Sequence, residues 1–154
     1  MAKVKIDFKD AKNDLKRFKL KSRGRSVRVL EKEIAGSILR GVSPVKGFGR
    51  FPKYSDSYRK QIIKDRELRK RPSPVNLKLT GELLKSLFVK VTPKGLLIGF
   101  DNFLADIHNR EGAGKKKVVR RMLPTKQGEQ FNKVITTRLK QVLDKVAREI
   151  FGSQ

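Results

Sequence analysis

Residues 79–112 read LTGELLKSLFVKVTPKGLLIGFDNFLADIHNREG, and this stretch decides the fold. Thr80 stands where a hydroxyl caps GELLKSL, whose leucines at 83, 84 and 87 share a helical face. FVKV then has the β-branched character of a strand. Thr92-Pro93-Lys94-Gly95 follows as a turn, with proline second and glycine fourth. LLIGF is the returning strand, and its nearly unbroken apolar run predicts burial on both faces. Asp101 is placed to cap FLADIHNR, with Phe103, Leu104 and Ile107 facing inward and Gly112 as the stop.

Outward from this unit, residues 3–8 (KVKIDF) alternate charged and apolar side chains, the period of a half-buried strand. Asp10 to Lys21 is lysine-rich, with Leu15 and Phe18 three apart, and predicts a short helix. Ser26 can cap a second one, in which Val27, Leu30, Ile34 and Ile38 recur at helical spacing until Gly41 and Pro44 end it. Residues 43–73 hold glycines, prolines and the aromatic series Phe48, Phe51, Tyr54 and Tyr58. A connection that long implies an extended arm reaching a neighbouring subunit, with a helical turn or two after Ser57. VVRRML predicts an edge strand. From Phe131 to Phe151 a broad apolar face recurs over about five turns and must cover the sheet or a partner helix. The expected fold is α+β: a small antiparallel sheet packed by an N-terminal and a long C-terminal amphipathic helix, with an extended arm.

At 154 residues the chain suits one domain, 1–154, made of a basic N-terminal segment (1–25), the arm (43–73) and a basic loop (113–121). It has no cysteine, so disulfides, thiolate metal sites and cysteine nucleophiles are excluded. No run approaches the roughly 18 apolar residues of a membrane span, and the N-terminus lacks a signal-peptide core. A soluble chain, intracellular at synthesis, is expected. The net charge of +24, from 39 basic and 15 acidic residues, raises nucleic acid, acidic proteins and membrane surfaces as partners. The excess is spread: residues 1–25, 51–75 and 101–125 are all strongly basic.

Chemistry-bearing clusters are weak. His108 is the only histidine, and a zinc site or an acid–base pair needs more partners than Glu111 and Asp106 offer. It is expected to pack or hydrogen-bond. Gly47 and Gly49 lack the strand, lysine and serine of a phosphate loop. No catalytic, metal or cofactor residue is expected. Lys115, Lys116 and Lys117 with Arg120 and Arg121 are the best candidates for contact with phosphates or an acidic partner.

The order of the blocks LTGELLKSL, ADIHNREG and RRMLPTKQGEQF resembles the virion-morphogenesis or tail-completion (neck) proteins of tailed bacteriophages, over about residues 27–150. Leu79, Thr80, Gly81, Leu84 and Ser86 match the first block, Ala105, His108 and Gly112 the second, and Arg121 and Pro124 the third. The resemblance implies a small non-enzymatic α+β virion subunit, a neck, tail-terminator or head–tail connector component. It would be made in the bacterial cytoplasm and form a ring, sixfold by expectation, beside connector and tail proteins. It also implies packaged DNA as a neighbour. Thr80, Gly81, His108, Gly112 and Pro124 would be structural. The alternative from charge alone is a ribosome- or DNA-associated basic protein.

Overall fold

The computed structural model describes residues 9–64, 75 and 81–152, with the side chains of residues 9–11 excepted. The strand expected at 3–8 and the cap expected at Thr80 lie outside the described residues. Helix α1 (Lys9–Leu39) leads to α2 (Asp56–Lys64), the single-turn α3 (Glu82–Lys85), strands β1 (Leu87–Thr92) and β2 (Gly95–Phe100), the short α4 (Phe103–Asp106), and α5 (Lys133–Phe151). The chain is α+β, as expected. α1 packs against both α5 and the hairpin, and so holds the layers together.

Two expected helices are one. α1 runs 31 residues without a break, and Ser26, expected as a cap, is buried in its middle. Lys, Arg and Leu are good helix formers, and Gly24 and Gly36 each cost only about 1 kcal/mol in the interior. α1 ends as expected: Gly41 takes a φ of +72°, and its N–H and that of Val42 close on Ile38 and Ser37 carbonyls. Leu30, Ile34 and Ile38 are fully buried, each contributing about 1.5–3 kcal/mol of transfer free energy.

α5 crosses α1 in antiparallel sense. Phe18 meets Phe151 with ring centroids 5.7 Å apart, Arg25 and Lys21 grip Glu149, and Glu33 faces Arg138. α1 of the same chain thus covers part of the apolar face of α5: Ile135 and Val146 are buried, while Val134, Leu143 and Phe151 stay exposed. Asn132 caps α5, its Oδ1 accepting from the Ile135 amide at 3.2 Å.

The hairpin register places Val89 opposite Ile98 and Thr92 opposite Gly95, with the turn at Pro93-Lys94 as expected. Thr92 Oγ1 accepts from the Gly95 amide at 3.1 Å. Burial on both faces does not occur: one face, with Val89, Leu87, Leu96 and Ile98, meets the core, while Leu97 on the other is 53% exposed. Two strands fill one side of a core, and among the described residues no layer covers the second. On that outer face the Phe88 ring lies over Gly99, whose missing Cβ makes room for it, and Lys90 Nζ sits 4.8 Å from the ring centroid.

Residues 43–64 fold back rather than stand off as an arm. Val42 bridges Arg50, Val45 bridges Phe131, and Lys46 N–H donates to the Gln130 carbonyl. Phe51, Tyr54 and Ile62 join the same core as Leu30 and Ile34.

Candidate interaction surfaces

The segment after β2 is organised by one amide. Asn102, not Asp101, caps α4, accepting from the Leu104 amide at 3.0 Å. α4 buries Ala105 but leaves Phe103 72% and Leu104 40% exposed, the reverse of the inward packing expected. It passes into a π turn, Ile107–Glu111, that carries Asn109 inside. Asn109 Oδ1 accepts from the amides of Met122 (2.7 Å) and Leu123 (2.9 Å), and its Nδ2 donates to Thr125 Oγ1 at 3.1 Å. These bonds occupy the groups a strand would offer, so VVRRML is irregular apart from Val118, which bridges Ala113.

Arg121 is buried beside this amide. Its Nη1 donates to the Asn109 carbonyl, and its Nη2 lies 3.1 Å from Glu129 Oε1. Glu129 Oε2 accepts from the Thr125 and Lys126 amides. Its carboxyl is held below the usual carboxylate range, first by the Lys126 amide and then by Thr125 and the Arg121 charge, against partial desolvation. Ser43 Oγ donates to the Arg121 carbonyl at 2.6 Å, tying in the end of α1. Arg120 is buried too: it donates to the Pro52 and Lys53 carbonyls and stacks over Tyr54, 5.2 Å from the centroid. Burial pushes its guanidinium below the ordinary value, opposed by Tyr54 and Tyr58.

The basic cluster expected at 115–121 therefore divides. Arg120 and Arg121 are internal struts, because a buried guanidinium must meet acceptors and both find them in backbone carbonyls. Lys115, Lys116 and Lys117 are exposed on a loop closed by the Ala113–Val118 bridge and by the Lys117 amide on Gly114. Gly112 sits beneath that loop with φ +83°, and a Cβ there would stand 2.2 Å from the Lys117 carbonyl oxygen. His108 is half-buried and its carbonyl accepts from the Arg120 amide at 2.7 Å. Gly81 takes the left-handed conformation before α3, and Pro124 is half-buried.

The expected interface aromatics divide as well. Phe51 and Tyr54 belong to the chain's own core, and Tyr58 packs edge-on to Tyr54 at 5.0 Å. Only Phe48 stays open, 46% exposed and 5.7 Å from the Arg121 guanidinium. An aromatic series near glycine and proline reads alike in an arm and in a loop that returns to its core.

Among the described residues no group of three or more His, Asp or Glu side chains could hold a metal, and no helix is long and apolar enough to cross a membrane. Among the described residues, a shallow hollow is lined by Gln141, Asp144, Lys145, Arg148 and Glu149, all on α5, so it is a helix face rather than an enclosed site. What the geometry offers is surface: the outer hairpin face, exposed Phe103 and Leu104, and lysines. Comparison of the chain with protein-family models, curated proteins and solved structures returned no match.

Proposed function

We propose that this protein is a structural subunit of a tailed-bacteriophage virion, assembling without catalytic activity into a ring, sixfold by preference, at the neck or tail terminus. The block order described above motivates the class. The observation that supports assembly is the hairpin: two strands whose outer edges pair with no other strand among the described residues, an outer face carrying Phe88 and Leu97, and Phe103 and Leu104 exposed just beyond β2. Such edges and apolar groups are suited to burial against a neighbour. A closed ring needs unlike surfaces to meet, and this apolar surface is unlike the lysine loop at 115–117. Six copies of a +24 chain repel one another, so connector proteins or packaged DNA would supply the compensating charge.

Negative-stain images of the purified chain, or of particles, should contain rings, and sedimentation should give an oligomer. Leu97→Glu combined with Phe103→Glu should yield monomers of unchanged helix content, because both side chains are exposed in the single chain. A wild-type chain that stays monomeric at every concentration and is missing from virions would end this reading.

A further inference from the structure

Among the described residues, α1 outlasts its partners. Phe18 meets Phe151, the last residue of α5, so residues 9–17 run about 13 Å past that helix. On the sheet side, Arg23 donates to the Pro93 carbonyl at 3.3 Å, which sets the hairpin tip beside α1 at that level. Lys12, Lys16, Lys19 and Arg23 recur at spacings of four, three and four, and so form one strip along the helix. The same strip continues through Ser26, Leu30, Ile34 and Ile38, where it is the buried core face. The core-facing side of α1 thus turns cationic where the helix runs past the end of α5. Lys94, exposed in the hairpin turn next to Pro93, adds a charge from a second element.

Among the described residues Lys12, Lys16 and Lys19 make no ion pair, whereas the flanks of α1 do: Arg17 with Asp14, and Lys21 and Arg25 with Glu149. No acidic residue lies on the strip itself. We propose that Lys12, Lys16, Lys19 and Arg23 of α1, with Lys94 of the hairpin turn, form a binding surface for the phosphate backbone of a nucleic-acid duplex.

Four observations choose that partner. A second copy of this chain has 15 acidic residues against 39 basic ones, so it is a poor source of compensating charge. The strip carries no aromatic side chain for stacking bases, since Phe18 is engaged by Phe151, and this favours a duplex over a single strand. From Lys12 to Arg23 the strip spans about 16 Å of helix, the axial length of about five phosphates on one strand. Lysines on such a rod contact backbone without reading sequence. The exposed Leu15 and Leu20 lie to opposite sides of the strip and give no single apolar face for a bilayer.

The test is fluorescence anisotropy with a short labelled DNA duplex of mixed sequence, titrated with the full chain across about 50–200 mM salt. With about five phosphates met, wild-type affinity should fall about 500-fold over that range. Lys12→Ala/Lys16→Ala/Lys19→Ala should bind more weakly and lose only about 10-fold, its log–log slope reduced by about 2.7. The corresponding triple glutamine variant should behave alike, and circular dichroism should show α1 intact in both. Lys115→Ala/Lys116→Ala/Lys117→Ala should retain the wild-type slope. Sedimentation of the same samples reports the ring separately, so loss of one property is not mistaken for loss of the other. The inference is overturned if the α1 variants keep the wild-type slope, or if the 115–117 variant loses it instead. Equal affinity for polyglutamate, for single-stranded DNA or for phosphatidylserine vesicles overturns it as well.

Discussion

Replacing Asn109 with alanine removes the acceptor of the Met122 and Leu123 amides and the donor to Thr125 Oγ1, all in a site where Asn109 is 4% exposed. Stranding a buried donor costs about 1–3 kcal/mol, and two backbone N–H groups are stranded here. Partial relaxation, or a water entering the vacated space, offsets some of this, which leaves about 3 kcal/mol. For a chain of this length that corresponds to a Tm lowered by about 6–12 °C. Thermal unfolding followed by circular dichroism measures it. Hydrogen exchange adds a local readout, because the Met122 and Leu123 amides should lose protection while the amides of α5 change little. Asn109→Asp keeps an acceptor for both amides and places a charge beside Arg121, so it should cost less than alanine. An alanine variant within about 0.5 kcal/mol of wild type, the range of an ordinary surface change, would refute the assignment of Asn109 as the organising group.

Two further outcomes follow from the same geometry. Gly112→Ala forces a Cβ against the Lys117 carbonyl at a φ of +83°, so it should cost about 2–4 kcal/mol and loosen the lysine loop, read as lowered Tm and faster proteolysis between 112 and 118. Glu149 is held down to about 2 by its hydrogen bonds from Arg25 and Lys21. Its folded value lies below the unfolded one, so its contribution is present above pH about 4.5 and is lost as the pH falls toward about 2. The melting temperature of Glu149→Gln should therefore fall less steeply over that interval than wild type, and identical acid limbs would refute the linkage.

The elements that depend on local pattern were legible in the sequence. Leu30, Ile34 and Ile38 at helical spacing, the Thr92–Gly95 turn and the apolar face of α5 each express a short-range rule, and each stands where expected. What escaped was set by distant partners. Ser26 looks like a cap, but the helix formers before it carry α1 through, and the serine fits against neighbours no local rule can see. Arg120 and Arg121 look like a surface pair until Pro52, Lys53 and Glu129 are brought to them. Asn109 gave no signal, since a buried amide that replaces a strand partner is indistinguishable in sequence from one in a turn. The cationic strip of α1 was hidden in the same way: its spacing was present, but its meaning required knowing where α5 and the hairpin stop.

The joining of α1 to α5 has a consequence for how the chain is made. The Arg25–Glu149 bond closes a sequence separation of 124 residues, and the buried face of α1 is complete only when α5 is laid upon it. Synthesis from the N-terminus therefore leaves Leu30, Ile34 and Ile38 without part of their cover until α5 leaves the ribosome. Folding should be late and concerted rather than progressive, with a rate governed by the meeting of α1 and α5. A chain truncated before Lys133 should be recovered as aggregate or degraded fragment rather than as a smaller folded unit.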